Sequence, residues 1–188
     1  DIERSVLEAD AVIHLAAETG VGQSMYEIER YVDTNIRGSA VLLESITQGR
    51  SRVQKIILAS SRAVYGEGKY KCGNCGITYP KPRNEAELRR SHWKMQCAKC
   101  GRTAEAVPTD EETSLRPTSV YAATKQAQEQ IFSVAAKAYD IPITILRYFN
   151  VYGPRQDYSS EYAAVIPKFV DNVTNGRPLV IYGDGEQT

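Results

Sequence analysis

The amino-acid sequence predicts an α/β fold built on a doubly wound parallel sheet, with a small separate unit inserted into it. Two observations predict the sheet: short apolar runs recur along the chain, and they alternate with longer segments of helical spacing. A third observation predicts the insertion, because all four cysteines lie in one basic stretch in the middle of this alternating pattern. We therefore expect residues 1–68 and 108–188 to form one domain around an inserted unit at 69–107.

The first half of the chain predicts a strand, a helix and a second strand. Residues 11–16 are a short apolar run typical of a buried strand, and residues 26–47 have the spacing of a helix. One face of that helix carries Ile36, Ala40, Leu43 and Ile46. Residues 53–60 form another apolar run. Strands this apolar predict a parallel sheet that helices cover on both faces.

The second half continues the alternation after the cysteine-rich stretch. A long helix is predicted at 119–138 and a strand at 141–146. A helix at 163–173 and a strand at 178–182 follow. The chain therefore predicts at least four strands joined by helices.

Composition and charge exclude several classes of protein. Of the 188 residues, 42% are hydrophobic and 24% are charged, which is typical of a soluble globular domain. The apolar runs are far shorter than the roughly 20 residues that cross a bilayer, and no leader opens the chain, so we expect a cytoplasmic protein. The 23 basic and 23 acidic residues balance, and the molecule as a whole is therefore not expected to bind polyanions.

The inserted stretch has the cysteine spacing of a zinc ribbon. Nine basic and three acidic residues give residues 69–107 a charge of +6, and two C-x-x-C-G motifs lie 21 residues apart. Two residues between thiolates let one turn direct both sulfurs at one ion, and the glycine permits the left-handed backbone of that turn. Four sulfur ligands leave no open position, so the predicted Zn²⁺ is structural. Its ligands would be Cys72, Cys75, Cys97 and Cys100. Two disulfides are the alternative, and His92, outside both motifs, is expected on the surface.

Side chains with acid–base chemistry follow the predicted strands. Tyr121 and Lys125 are four residues apart, so they share one face of a helix. A free tyrosine, with a pKa of about 10, is a poor base at neutral pH, and a nearby cation favours its phenolate form. Ser60 and Ser61 end a buried strand, where open α/β sheets bind their ligands. Because tyrosine and lysine are also common on solvated helices, the pair is informative only together with these serines.

Six motifs together resemble the extended short-chain dehydrogenase/reductase family, which contains NAD-dependent nucleotide-sugar epimerases and dehydratases. They are VIHLAA (12–17), Asn35 within DTNIRGS, SSRAVYG (60–66), YAATK (121–125), RYFNVYGPRQ (147–156) and VIPKFV (165–170). They occur in family order and span nearly the whole chain outside the insertion. The resemblance implies a Rossmann-like fold and NAD as the cofactor.

The resemblance also implies roles for individual residues. Tyr121 would take the proton from a sugar hydroxyl while a hydride leaves the same carbon, Lys125 would hold the nicotinamide ribose, and Ser61 would bond the reacting oxygen. The residues implied in cofactor binding are Leu15, Ala16, Ala17, Thr19, Asn35, Ser60, Tyr121, Lys125 and Phe149. Ser24 and Asn150 are implied in binding the nucleotide-diphosphate sugar. Plain packing is the alternative for each, above all for Leu15 and Phe149.

Two positions after Ser61 separate the reaction types of this family. Dehydratases have an acidic pair there and decarboxylases a glutamate at the second position, whereas this chain has Arg62 and Ala63. Because no acid is present for a second proton transfer, we expect a 4-epimerase, which oxidises a ring hydroxyl to a 4-keto sugar and reduces it again on the opposite face. The pairing of SSRAVYGEG with a cysteine-rich insertion resembles the dTDP-L-rhamnose 4-epimerase type. The expected substrate is therefore a dTDP- or UDP-hexose.

Several expectations concern the rest of the molecule. The glycine-rich turn that binds the pyrophosphate in this family does not precede VIHLAA, so the resemblance implies an N-terminally truncated fragment that is inactive alone. It also implies a homodimer through the helices near 35–47 and 120–137. Two other functions stay open: a nucleotide-sugar reductase, and a non-catalytic module that binds nucleic acid or another partner through the basic ribbon. Aromatic residues interleave with the ribbon's cations, at Tyr70, Tyr79 and Trp93. The complete set of Ser61, Tyr121 and Lys125 favours the enzyme.

Overall fold

The computed structural model describes residues 2–48, 51–156 and 164–186. The chain divides into two units. The sheet unit comprises Asp1–Gly66 and Leu115–Phe149, and the second unit comprises Glu67–Ser114 and Asn150–Thr188.

The regular elements of both units are as follows. The strands are β1 (Ala11–His14), β2 (Lys55–Ser61), β3 (Tyr70–Cys72), β4 (Gly76–Thr78), β5 (Glu105–Ala106) and β6 (Ile143–Tyr148). The helices are α1 (Ile2–Leu7), α2 (Ile28–Tyr31), α3 (Gly38–Thr47), α4 (Glu85–Arg89), α5 (Val120–Tyr139) and α6 (Val165–Thr174). A π-helical segment, Val32–Arg37, joins α2 to α3, and 3₁₀ turns cover Gln23–Met25 and Arg62–Tyr65. None of the helices in the described ranges combines the length and the apolar composition that a bilayer crossing requires.

A three-stranded parallel sheet forms the centre of the sheet unit, in the order β1-β2-β6. His14 of β1 pairs with Leu58 of β2, and Ser61 of β2 pairs with Tyr148 of β6. The carboxyl ends of the three strands therefore meet at one edge. Parallel strands joined by helices are the arrangement that the sequence predicted, and the α/β fold class is confirmed.

The hydrophobic core lies between this sheet and helices α3 and α5. Leu43 and Ile46, two members of the predicted apolar face, are buried with Ile56 and Leu58 of β2 and with Phe132 of α5. Burying a side chain of this size contributes about 1.5–3 kcal/mol, so these residues fix both helices against the strands.

Helix α5 begins and ends at residues suited to those positions. The Oγ of Ser119 accepts a hydrogen bond of 3.1 Å from the backbone N–H of Ala122 and caps the helix. At the other end, Asp140 adopts the left-handed conformation, with a φ of 54°. The predicted range of 119–138 matches the observed helix to within one residue.

The sheet differs from the expectation in its helical cover. Helices α3 and α5 both pack on the face that holds Ile56 and Leu58, whereas Ile13 and Leu146 on the opposite face are exposed. The strand order explains this, because β1, β2 and β6 follow one another in one direction across the sheet. Right-handed connections then place both crossing helices on the same face. Within the described residues of the sheet unit, helices α3 and α5 cover one face of the sheet.

The predicted strand at 178–182 is absent, since these residues form no β-pairing within the described chain. A strand needs a hydrogen-bonded neighbour, which an apolar run cannot supply by itself. The other expected elements are present, with shifts of one or two residues at most ends.

The second unit contains a small antiparallel sheet in the order β4-β3-β5. Tyr70 pairs with Thr78 in the β3-β4 hairpin, and an isolated bridge joins Gln96 to Thr103. Helix α4 begins with a capping box, in which Asn84 and Glu87 each accept a hydrogen bond from the other's backbone N–H. These local bonds define a short element in a stretch with few apolar residues.

Candidate functional site

The carboxyl edge of the parallel sheet brings the predicted catalytic residues to one region. Ser61 is the last residue of β2, and its Oγ accepts a hydrogen bond of 3.2 Å from the backbone N–H of Ala63. Tyr121 and Lys125 lie in the first turns of α5, one turn apart. The Nζ of Lys125 donates to the carbonyl O of Ala59 over 3.0 Å. Lys125 is therefore held at β2, two residues before Ser61.

Lys125 is a buried cation. Only 3% of the residue is exposed, and this burial lowers the pKa of its amine to about 8. The charged form still predominates at pH 7, and a charge in such a site acts more strongly than one in water. It acts on His14, whose pKa is lowered by burial and, to a smaller extent, by the charge of Lys125.

The loop after β1 also lies at this edge. Leu15, Ala16 and Thr19 are exposed, and Ala17 is half-buried. Leu15 is 63% exposed, so it is not the core residue that the packing alternative supposed. An exposed loop at the carboxyl end of a strand is positioned to contact a ligand of an α/β sheet.

Asn35 and Ser24 are fully buried, unlike that loop. The Oδ1 of Asn35 accepts from the backbone N–H of Glu18 at 2.8 Å, and its Nδ2 donates to the carbonyl O of Glu18 at 3.1 Å and to the Oγ1 of Thr124 at 3.0 Å. The hydroxyl of Ser24 donates to the carbonyl O of Val21 at 2.7 Å. Both side chains thus bind protein groups within the sheet unit.

The chain passes from the sheet unit to the second unit between Phe149 and Asn150. Phe149 follows β6 directly and is 59% exposed, so it is not a core residue either. Asn150 is exposed and belongs to the second unit.

A buried ionic cluster, which sequence reasoning missed, lies beside Ser61. Glu129 of α5 accepts a 2.5 Å hydrogen bond from Ser60 and forms a two-pronged ion pair with Arg147 of β6. Arg147 donates from Nη1 to the hydroxyl of Tyr65 at 2.8 Å, and its guanidinium lies 5.0 Å from the centre of the Tyr65 ring. Hydrogen bonding to Glu129 raises the pKa of Arg147 further above its ordinary value. The cluster joins β2, α5 and β6 immediately behind the candidate site.

One signal in the sequence could have identified this cluster. Glu129 is four residues after Lys125 and eight after Tyr121, on the face of α5 that also carries the buried Phe132. A glutamate on the apolar face of a helix requires a cationic partner, because an unpaired buried carboxylate is very costly. Arg147, at the end of a strand, is the residue that meets this requirement.

The four cysteines of the second unit converge. Their sulfurs lie within 4.8 Å of one another, and the sulfurs of Cys72 and Cys100 are 3.6 Å apart. All four are free thiols, so the alternative of two disulfides is not what the structure contains. Each C-x-x-C motif ends in a turn whose glycine has a positive φ, of 70° at Gly76 and 71° at Gly101, as the motif predicted.

The backbone favours a thiolate at Cys97, whereas hydrogen bonds to the neighbouring sulfurs and burial raise the pKa of Cys100 to about 11. The N–H of Lys99 donates to the sulfur of Cys97 over 3.4 Å and lowers the pKa of the Cys97 thiol below its ordinary range. Zn–S bonds of about 2.3 Å in a tetrahedron place neighbouring sulfurs about 3.8 Å apart, close to the distance between Cys72 and Cys100. His92 is exposed and is not a member of this cluster.

A groove of about 380 Å³ lies within the second unit, where two family motifs meet. The end of RYFNVYGPRQ forms one side, and the helix that contains VIPKFV forms the other. The lining includes Tyr152, Arg155, Gln156, Ile166, Pro167 and Asp171. The end of one motif and the helix of the other thus form a concave surface within the second unit.

A family model described as the NAD dependent epimerase/dehydratase family matches residues 1–85 and 97–188. The dTDP-L-rhamnose 4-epimerase of Burkholderia thailandensis is 38% identical to this chain over 184 residues, covering 98% of the chain and 49% of that relative. The chain spans about half the length of the curated relatives that it matches.

Two solved structures of nucleotide-sugar 4-epimerases are similar to this chain over its whole length. The UDP-N-acetylglucosamine 4-epimerase of Methanobrevibacter ruminantium M1, in complex with UDP-N-acetylmuramic acid, superposes with a TM-score of 0.74 at 35% identity, covering 100% of this chain and 48% of that one. The UDP-glucuronic acid 4-epimerase of Bacillus cereus, in complex with UDP-glucuronic acid and NAD, superposes with a TM-score of 0.69 at 29% identity, covering 100% and 46%.

Proposed function

Because this chain belongs to the NAD dependent epimerase/dehydratase family, we propose that it provides the catalytic part of a nucleotide-sugar 4-epimerase that uses NAD. The observation that carries the proposal is the buried amine of Lys125, held at the end of β2 beside Ser61 and one helical turn from Tyr121. The 4-epimerases among its relatives and structural neighbours support the same reaction.

In the proposed reaction, the phenolate oxygen of Tyr121 accepts the proton of the 4-hydroxyl of the sugar as C4 is oxidised to the ketone. The hydroxyl of Ser61 donates a hydrogen bond to the reacting oxygen. The keto sugar then rotates in the site so that its opposite face is reduced. Tyr121 returns the proton to that oxygen, and the ring hydroxyl is restored on the opposite face. Lys125, one helical turn from Tyr121, would hold the nicotinamide ribose. General acid–base catalysis of this kind contributes about 10²- to 10⁴-fold to the rate.

The residues at the sheet edge fit the nicotinamide ribose of NAD. The ammonium of Lys125 has three protons, and within the described chain the carbonyl O of Ala59 is its one hydrogen-bond acceptor. Two protons are therefore available for ribose hydroxyls. The exposed loop that holds Leu15, Ala16 and Thr19 would contact the dinucleotide beside it, with Ala17, Ser60 and Phe149 nearby. NAD, when bound, accepts the hydride from C4 and gives it back.

The residues after Ser61 favour epimerisation over water elimination or decarboxylation. Arg62 and Ala63 follow β2 in a 3₁₀ turn, and neither can give or take a proton at a second sugar carbon. In this proposal one acid–base group, Tyr121, serves both half-reactions. We propose a dTDP- or UDP-hexose as the substrate, bound in part by Asn150 and by the segment near Ser24.

The product of the reaction tests this proposal. The complete gene product that contains this chain is incubated with NAD and dTDP-L-rhamnose in one reaction, and with NAD and UDP-glucose in another. The nucleotide sugars are then separated, and their masses are measured by mass spectrometry. We expect a new peak of unchanged mass. A loss of water would contradict the argument from Arg62 and Ala63, and turnover of a keto sugar that consumes reduced cofactor would identify a reductase instead.

We also propose that the cysteine cluster holds one structural Zn²⁺. The sulfur spacing and the N–H bond to Cys97 support this, and the four sulfurs complete a tetrahedron without a position for substrate. The ion would fix two turns in a unit with few buried apolar residues.

A homodimer and a cytoplasmic location complete the proposal. The helices 35–47 and 120–137 carry apolar side chains on their outer faces, including Val41 at 40% and Val134 at 69% exposure, and these would lie in the dimer interface. Four cysteines that form no disulfide and are placed to bind a metal favour a reducing compartment.

A further inference from the structure

Three polar side chains, at a spacing of four residues, are completely buried along the helix that runs from α2 to α3. They are Tyr31, Asn35 and Ser39, here called the polar ladder, and none of them has any exposed surface. The π-helical segment 32–37 lies between the first and the third. Single-turn π segments within α-helices occur frequently at functional sites.

Each member of the ladder contacts helix α5 and either the last residue of β1 or the loop 15–20 after it, here called the cofactor loop. The hydroxyl of Tyr31 is directed at the carbonyl oxygens of Thr19 and Gly20, the second at 3.0 Å. Its ring meets the ring of Tyr121 edge to face, with centres 6.4 Å apart and planes at 82°. One side chain thus contacts both the proposed cofactor loop and the proposed catalytic base.

Asn35 makes the second connection. Its amide pairs with both backbone groups of Glu18 and also donates to the Oγ1 of Thr124. Thr124 in turn donates to the carbonyl O of Tyr121 at 2.8 Å. The loop and the catalytic turn of α5 are therefore joined through a single buried amide.

Ser39 makes the third connection. Its hydroxyl donates to the carbonyl O of Asn35 at 2.6 Å and accepts from the Nε2 of Gln128 at 2.7 Å. The Nε2 of His14 lies within hydrogen-bond distance of the same hydroxyl, at 3.1 Å. The last residue of β1 is joined to α5 in this way.

We propose that the polar ladder positions the cofactor loop against the catalytic helix, with Tyr31 as the residue that couples the two. The proposal rests on the proposed function. The buried amide of Asn35 already makes three hydrogen bonds to protein groups. In this proposal Asn35 therefore affects the cofactor indirectly, by holding Glu18 of the loop in place. The side chains of Asn35 and Ser39 hydrogen-bond to partners on both sides, which fixes the loop more strictly than apolar packing would. At the α5 end of the network, the buried Oε1 of Gln128 has no hydrogen-bond partner among the described residues.

Amide hydrogen exchange of the full chain tests the ladder without any assay of activity. The probe is the backbone N–H of Glu18, which Asn35 holds. We expect Tyr31→Phe, which keeps the ring and removes the hydroxyl, to accelerate this exchange about five- to tenfold, the effect of one lost hydrogen bond. The matched control is Tyr139→Phe at the exposed end of α5, which should leave it unchanged. Thr124→Val, which removes the contact of Asn35 with α5, should give the same acceleration; unchanged exchange in both variants would overturn the proposal.

Kinetics of the complete gene product separate positioning from general stability. Tyr31→Phe should raise the dissociation constant of NAD about tenfold and leave kcat at saturating NAD within about twofold, because the ring contact with Tyr121 remains. Tyr31→Leu removes that contact too and should also lower kcat. Equal NAD affinity in the wild type and Tyr31→Phe would overturn the coupling role. A wild-type protein that neither binds NAD nor converts a nucleotide sugar would contradict the proposed function instead. The hydrogen-exchange experiment would still test whether the polar ladder positions the loop.

Discussion

Lys125 is hydrogen-bonded through its Nζ to the carbonyl O of Ala59, at 3.0 Å, in the interior of the sheet unit. An apolar residue would fit such a buried position at lower cost, since burial alone lowers the pKa of the amine from 10.5 to about 8. The chain thus keeps a cation where it weakens the fold, beside the proposed catalytic residues. Perturbed groups of this kind are typical of functional sites.

Replacing this cation should stabilise the chain at neutral pH. A pKa lowered from 10.5 to about 8 corresponds to a cost of about 3 kcal/mol at pH 7, and the lost hydrogen bond offsets about 1 kcal/mol of it. We expect Lys125→Met to raise the free energy of unfolding by about 2 kcal/mol in urea denaturation at pH 7. The exposed Lys137→Met on the same helix is the control and should change it by less than about 0.5 kcal/mol.

The same substitution should show a defined pH dependence. Between pH 8 and 10.5 the unfolded chain binds more protons at Lys125 than the folded chain does, so wild-type stability rises relative to Lys125→Met as the pH rises through this window. The difference between the two proteins should be constant below pH 8 and should shrink above it. A difference that does not vary with pH would mean that the amine of Lys125 is not buried in its charged form.

Removing the phenolic oxygen of Tyr121 should abolish turnover and leave the fold intact. We expect Tyr121→Phe to lower kcat of the complete gene product by about 10²- to 10⁴-fold, because the proposed base is lost. Its thermal unfolding midpoint should stay within a few degrees, since only one hydroxyl is removed. Tyr139→Phe should keep full activity, and comparable activity of the two variants would exclude Tyr121 as the base.

The ion pair of Glu129 and Arg147 should be far more important for stability than an exposed pair. Glu129→Gln leaves the guanidinium of Arg147 partly buried without its counter-charge, and we expect a loss of about 3 kcal/mol. Glu85→Gln breaks the exposed pair with Arg89, where both side chains are 77% exposed, and should cost less than about 0.5 kcal/mol. Urea denaturation of the two variants makes the comparison, and equal losses would contradict the role assigned to the cluster.

Zinc content tests the cysteine cluster directly. We expect one zinc ion per chain by elemental analysis of protein expressed with zinc, and a lower thermal unfolding midpoint after chelation. Cys97→Ser should lower both, because it removes one of the four ligands, whereas Lys99→Ser in the same turn should retain the ion. A wild-type chain free of zinc under these conditions would rule out the structural ion.

Local patterns predicted the elements that local chemistry determines. The spacing of Leu43 and Ile46 predicted a buried helix face, Ser119 marks the start of α5, and the C-x-x-C-G motifs predicted the positive φ of Gly76 and Gly101. Each of these features depends on residues within a few positions of one another. The convergence of the candidate site residues at the carboxyl edge could also be predicted, because the strand ends of a parallel sheet lie side by side.

Contacts between distant residues could not be predicted in this way. Tyr31 contacts Tyr121, and Asn35 bonds Thr124, although about 90 positions separate each pair. The predicted strand at 178–182 failed for a related reason, because an apolar run indicates burial but does not specify the neighbour with which it would pair. The resemblance assigned Asn35 to the cofactor, and only its hydrogen bonds revealed the connection through Glu18.

The fate of the hydrogen at C4 tests the central claim most directly. The complete gene product is given a nucleotide hexose that carries deuterium at C4, and the epimer is analysed by mass spectrometry and NMR. Transient oxidation at C4 with return of the same hydride predicts that the epimer retains the deuterium at C4 and has the mass of the substrate. An epimer that has exchanged its deuterium for solvent hydrogen, or a product lighter by one water, would contradict the mechanism.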